Sequence, residues 1–304
     1  MPAIALLAFV LMLGGLPVPP VAADAKTPGA RSLEALPQQW RTSRNSTGRL
    51  RGLRTTDKAI VFAAPPRETK EAAHRRYEPI AAYLSRVLGR PVVYRYPDNW
   101  STYRAVMLKG GYDLIFDSAH FNGYRIQELG HNVLAKAPAA AEFAVIIKKG
   151  EKRYRRLASL AGRTICAAPS PHLGTLTVLN EFKNPSRQPL IVNTAETGDI
   201  FKGVNFGRCA AGIVPLGTLN RHDPGAELTT VLFRTRPLPN QAFSAGPRLS
   251  REEQRKIARA LIAPAAREPT ARLRAALGLG EGFIRAANSE YAALASILKG
   301  EWGY

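Results

Sequence analysis

The sequence predicts an α/β protein of two lobes, each a mainly parallel sheet flanked by helices. Three observations carry this. Short apolar runs alternate with amphipathic stretches from residue 58 onward. The alternation breaks at a polar segment, Lys148-Lys149-Gly150-Glu151-Lys152, and then restarts. The two halves are similar in size without repeating one another. The length of 304 residues allows one large domain or two ordinary ones, and 45% hydrophobic against 22% charged residues is enough for real cores. That balance excludes a wholly disordered or collagen-like chain.

The elements follow in order. Ala59 to Ala63 is an apolar run stopped by Pro65-Pro66, a buried strand. Tyr77, Ile80, Ala81, Leu84, Val87 and Leu88 recur at helical spacing until Gly89 and Pro91 end the stretch. Pro91–Tyr96 reads as a strand and Ser101–Lys109 as a helix closed by Gly110-Gly111. Asp113–Phe116 reads as a third strand. Strand–helix–strand order implies parallel pairing with right-handed crossovers. Val133–Ala135 and Phe143–Ile147 are further strands. After the polar break come a strand at Thr164–Ala168, a helix at Gly174–Phe182 and a strand at Pro189–Asn193. A helix at Thr197–Phe206 and a strand at Cys209–Val214 complete that half. A strand at Gln241–Ala245 and helices near 250–263, 267–277 and 287–299 end the chain. This divides it into lobe 1 (57–150 and 240–304) and lobe 2 (151–239). Open sheets place ligands beyond the carboxyl ends of their strands, so two facing sheets predict a cleft.

The flanks and the charge add to this. Ile4–Leu16 is mostly apolar but too short to span a membrane, which takes about 20 residues. Small residues follow at Val21-Ala22-Ala23 and again at Ala25, which reads as an export signal over 1–25. Residues 26–56 are a basic flexible arm with seven Lys and Arg against Glu34 alone, and no hydrophobic period. Lys and Arg total 43 against 23 Asp and Glu, a net charge of +20 that suits an anionic partner. Nucleic acid is not expected: the arm offers only Trp40 to stack on a base, and an exported protein rarely meets nucleic acid. Two cysteines exclude a disulfide scaffold and a multi-cysteine zinc site. Cys166 and Cys209 fall on lobe 2 strands, and whether they pair stays open. His74, His120 and His172 match no zinc spacing, so neither metal nor cofactor is expected. Lys148 to Arg156 reads as a solvated basic loop between the lobes.

The segment order resembles the phosphate/phosphite/phosphonate-binding family of periplasmic solute-binding proteins. Four stretches carry the resemblance: Tyr77-Glu78-Pro79-Ile80-Ala81-Ala82-Tyr83-Leu84, Gly111-Tyr112-Asp113-Leu114-Ile115-Phe116, Leu160-Ala161-Gly162-Arg163-Thr164, and the turn from Ala168 to Thr175. It covers about residues 58–300 and implies the type 2 periplasmic-binding-protein fold. It further implies an extracytoplasmic, periplasmic binding protein for a small oxyanion, working as a monomer with an inner-membrane ABC permease. The alternative use of the same module is as a sensory adaptor for a membrane kinase, or for another small anion. An enzyme on this fold would need a poised nucleophile in the cleft, and the sequence offers none.

The family's serine-rich turn holds the oxyanion. Here that run is Pro171-His172-Leu173, leaving hydroxyls on Ser170 and Thr175, a histidine donor on His172, and backbone amides near Gly174, where a ligand could approach closely. Binders of aminated phosphonates carry an acid where this chain has Ala210, so the resemblance implies no partner there for a ligand amine. On lobe 1, Arg67 follows the first strand and offers a planar fork to an anion, or is a solvated loop charge. Trp100 stands where the family has a ligand-facing tyrosine and offers an indole wall or ordinary packing. Asp117, His120 and Phe121 follow the third strand on the expected rim. There Asp117 and His120 form a pair holding a polar ligand, or a helix cap and a surface histidine. Glu196 lies at the start of a lobe 2 helix and Thr197 is its expected cap. Asp113 is expected to be structural.

Overall fold

The structure, a computed structural model, describes residues 59–194, 196–299 and 301. The expected signal segment (1–25) and basic arm (26–56) lie outside the described residues. The chain lays down β1 (Ile60–Ala63), α1 (Lys70–Leu88), β2 (Val92–Tyr94), α2 (Trp100–Leu108), β3 (Leu114–Asp117), α3 (Ala119–Leu129) and β4 (Asn132–Lys136). It then crosses to a second sheet for β5 (Phe143–Lys148), β6 (Thr164–Ala167), α4 (Leu173–Asn180), β7 (Leu190–Asn193), α5 (Thr197–Asn205), β8 (Ala211–Pro215), α6 (Leu216–His222) and β9 (Thr229–Arg234). It returns for β10 (Ala242–Ala245), α7 (Arg251–Ile262), α8 (Ala271–Ala276), β11 (Ile284–Arg285) and α9 (Asn288–Tyr291), and ends in a 3-10 segment, Ala292–Leu298. The strand orders are β11-β4-β10-β3-β1-β2 and β7-β6-β8-β5-β9.

Both sheets are mixed rather than mainly parallel. β2, β1 and β3 pair in parallel, as do β7, β6 and β8, because each is joined to the next by a crossover helix. The strands that arrive from the other lobe run the opposite way. β10 enters between β3 and β4, and β5 between β8 and β9, all antiparallel. β5 therefore belongs to the second sheet, and the first crossing precedes Phe143 instead of falling near residue 150. The basic segment Lys148–Arg156 lies wholly within lobe 2 as a result. The two crossings run side by side: Ala137 donates to Gln241 (3.0 Å), Ala141 to Leu238 (2.8 Å) and Leu238 back to Ala141 (3.0 Å).

Local chemistry accounts for the elements. α1 starts where the Thr69 hydroxyl accepts the Ala72 N–H and stops at Gly89 in the left-handed region (φ 62°). Pro79 sits inside α1 and strips the Arg75 carbonyl of its helical donor; Arg272 from α8 donates there instead, at 3.2 Å. The buried face of α1 covers an aromatic core in which Phe62, Tyr77, Phe116, Phe243 and Phe283 interlock, Phe116 and Phe243 with centroids 4.7 Å apart. Asp113 accepts from the Val61 N–H (2.7 Å) and from Arg248 (2.7 Å), tying β3 to β1 and to the start of α7. In lobe 2, β6 lies beside β8, and Cys166 and Cys209 form a disulfide with Cα atoms 5.6 Å apart. The expected helix at 287–299 is α9 followed by the 3-10 segment, and that expected at 267–277 is the short α8. Helices α3 and α6 and strands β9 and β11 were not anticipated.

Candidate functional site

The site is built on the carboxyl ends of β3 and β6. β3 ends at Asp117, whose side chain is fully buried. Its Oδ1 accepts from Arg67 (2.9 Å) and from the Ser118 N–H (2.7 Å); its Oδ2 accepts from Tyr103 (2.6 Å) and Arg125 (3.1 Å). Arg125, also fully buried, donates further to Asn122 (2.8 Å) and Ser244 (3.2 Å). Burial alone would raise the Asp117 carboxyl; the guanidinium groups of Arg67 and Arg125, with the Tyr103 hydroxyl, outweigh it and hold the carboxyl below its usual range. Tyr103, buried beside that charge, is pushed well above the ordinary phenol range. One carboxylate between two guanidiniums leaves the cluster positive on the cleft side.

Arg67 is the cluster's outer member. It also donates to Ser118 (2.8 Å) and Gln241 (3.4 Å), and its guanidinium lies 5.7 Å from the Trp100 ring centroid. Trp100 in turn stacks on Phe121 at 6.0 Å. Phe121 itself is fully buried, so it backs the indole and does not reach the cleft.

A cavity of about 480 Å³ opens between the lobes. Its walls include the N-cap residues of three helices: Ser118 of α3, His172 of α4 and Pro215 of α6. None of these caps makes a side-chain bond to its own helix; in α6 the Leu216 N–H donates instead to the Glu142 carbonyl (2.9 Å), so the anion-facing donors are the first-turn N–H groups of α3 and α4. Thr218, Asn220 and Arg221 of α6, Asn240 and Gln241 of the second crossing and the 276–279 loop complete it. Arg221 donates to Thr218 (3.1 Å), and its Nη1 lies close to Gly278 across the cleft. Glu142 is the carboxylate among the lining residues.

The expected site residues separate into groups. His172 lines the cavity, with Nδ1 buried and without a partner among the described residues; burial, then Arg67 and His120, push its pKa down to about 3. A neutral donor or acceptor is what it offers, not a charge. His120 does not pair with Asp117. Its Nε2 bonds the Pro171 carbonyl of lobe 2 (2.9 Å), because the α3 N-terminus abuts that turn, and burial lowers its pKa to about 4. Ser170 donates to Glu301 (2.7 Å) and Thr175 to the Ala168 carbonyl (2.7 Å), so neither hydroxyl is presented to the cavity. Gly174 lacks a side chain for a different reason from ligand approach: a Cβ there would fall 2.4 Å from the Phe143 ring. Glu196, and not Thr197, is the N-cap of α5; it is exposed and does not line the cavity. His74 pairs with Glu78 on α1 at 2.6 Å, apart from the other two histidines. Sequence reasoning missed Tyr103, Arg125 and Arg221. Only Arg221 had a signal, a charge on the short segment that follows the β8 strand, where it falls in the last turn of α6.

Comparison with known proteins places this geometry. A family model described as the periplasmic substrate-binding protein of phosphonate ABC transporters matches residues 62–291. No curated protein matches the chain. Among solved structures, a Xanthomonas citri protein bound to ATP superposes with TM-score 0.63 at 11% identity, covering 79% of this chain and 97% of that one. PhnD1 of Prochlorococcus marinus in complex with methylphosphonate superposes with TM-score 0.60 at 14% identity, covering 80% and 97%. A binding component of a Pseudomonas aeruginosa phosphonate transporter gives 0.57 at 13%, covering 79% and 85%. These likenesses fix the fold as the type 2 periplasmic binding fold. With three-quarters of its length matched by the family model, the chain belongs to the periplasmic substrate-binding proteins of phosphonate ABC transporters.

Proposed function

We propose that this chain captures a small phosphonate-class oxyanion between its lobes and delivers it, in the closed form, to an inner-membrane permease. The observation that supports this most directly is the meeting of uncapped helix N-termini at one cavity beside Arg67 and Arg221. Backbone N–H groups at a helix start carry partial positive charge and suit an anion. Arg67 is held by Asp117, so Arg221 is the guanidinium whose remaining donors meet no carboxylate among the described residues. Contacts to both lobes favour the closed state by the ligand's differential affinity for it. Methylphosphonate, the ligand of the Prochlorococcus protein, is the first probe.

Calorimetry with methylphosphonate, phosphite, phosphate and sulfate tests the reading. At least one should bind, and Arg221→Gln should weaken it about tenfold or more, as for a lost bond to a charged group. Silence from all four, with small carboxylates binding instead, would overturn it. Export through a signal cleaved after Ala23 or Ala25 belongs to the same reading, and intact mass of the exported protein decides it.

A further inference from the structure

A stripe of unneutralised positive charge runs along α7, away from the cleft. Arg251, Arg255 and Arg259 recur every fourth residue, so they share one helix face with about 6 Å of rise between neighbours. The opposite face, with Ile257, Ala260 and Leu261, is buried against lobe 1. Arg285, on the edge strand β11, brings a fourth guanidinium to the same groove of about 510 Å³. All four are exposed, and none has an ion-pair partner among the described residues. The carboxylates of the same helix are engaged elsewhere: Glu252 with Lys256 (3.0 Å), Glu253 with Arg90 (2.7 Å) and with the Ser250 N–H (2.8 Å). The groove shares no lining residue with the cavity: its Asn132 end is level with Leu114, and Arg285, paired with Ala135, lies level with Phe116 but on the outer edge of the sheet, three strands from Asp117.

We propose that this groove docks the protein on an anionic lipid leaflet, with phosphodiester headgroups against the four arginines. Among the described residues the groove carries no aromatic side chain, whereas protein interfaces concentrate aromatics at their core and single-stranded nucleic acid stacks on them. A lipid surface requires only positive charge held within a Debye length of it. The net charge of +20 attracts the whole chain to such a surface, and the groove gives the attraction an orientation. Because the groove shares no wall with the cavity, adsorption leaves ligand exchange open while keeping the protein at the membrane that houses its permease.

The test is sedimentation of the exported, mature protein with vesicles of phosphatidylcholine alone or mixed equally with phosphatidylglycerol. The wild type should bind the mixed vesicles only, and less as salt rises. The variant R251Q/R255Q/R259Q/R285Q should bind at least about tenfold more weakly. A control that removes equal charge from lobe 2, R155Q/R156Q/R163Q/R187Q, should lose at most about twofold, through the lower net charge alone. The basic arm is present in every variant and contributes equally. If the fourfold variant melts early, the single change R255Q on the exposed face carries the comparison, with a drop of a few fold expected. Equal loss in both fourfold variants, no loss in either, or failure of the wild type to bind would overturn the proposal. So would capture of the wild type by polyglutamate but not by vesicles, which would assign the face to an acidic protein.

Discussion

Asp117 holds a negative charge where water does not reach, and Arg67 and Arg125 make that tolerable. Such a cluster is weak evidence for stability in itself, but removing one partner leaves a charge uncompensated. Arg125→Met should therefore cost about 3–5 kcal/mol in urea unfolding, and it should loosen Arg67 at the cleft as well. An unchanged midpoint would show that Asp117 is neutral in the folded chain. The histidines set a pH dependence. Burial depresses His120 to about 4 and His131 to about 3, so the folded chain binds fewer protons than the unfolded chain below pH 6.5. Their contribution is complete above that pH and falls away as pH drops toward those values. Each should withdraw roughly 2 kcal/mol between neutral pH and pH 5. His131→Gln should flatten the fall in melting temperature over that range; a profile identical to the wild type would mean that His131 binds its proton equally well in the folded and unfolded chain.

At the scale of elements, the N-terminus of α4 shows why a turn can be recognised and its residues misassigned. The strand, the turn and the helix were legible in hydrophobic period and punctuation, and so were β1, α1, α2, β3 and α7. What a side chain touches on a distant segment is not written in local sequence. Gly174 read as a place for ligand approach because glycine exposes backbone; the structure fills that space with the Phe143 ring. Gly174→Ala should accordingly destabilise the unliganded chain by about 1–3 kcal/mol through overpacking. Full stability with reduced ligand affinity would restore the earlier reading. α3 went unread because His120, Asn122 and Arg125, polar residues in its first turns, are turned inward to bond Pro171, Asp117 and Ser244, so its buried face is not apolar. β5 was legible as a strand, but its membership of the second sheet depends on pairing with β8 and β9, which arrive more than 60 residues later.

At the scale of the molecule, the two lobes are joined by more than their crossings. The C-terminal segment packs against α3: a Cβ at Gly123 would lie 2.5 Å from the Tyr291 carbonyl. The same segment then reaches lobe 2, where Leu298 clusters with Leu176 of α4 and Glu301 accepts from Ser170. With the His120–Pro171 bond, these contacts require the lobes to be together. A binding protein of this kind must balance such contacts, because each one made only in the closed form favours closure before any ligand arrives. Ser170→Ala removes one bond to a carboxylate from the closed form and leaves the cavity walls intact. Its effect should appear as a population shift, not as lost chemistry at the site. A bond to a charged group contributes about 1.5–3 kcal/mol, so ligand affinity should fall roughly tenfold or more. Small-angle scattering of the unliganded variant should show a larger radius of gyration than the wild type, and saturating ligand should bring the two together. A variant that loses affinity while scattering as the wild type does would place Ser170 in direct contact with the ligand and return the hydroxyl to the anion cradle.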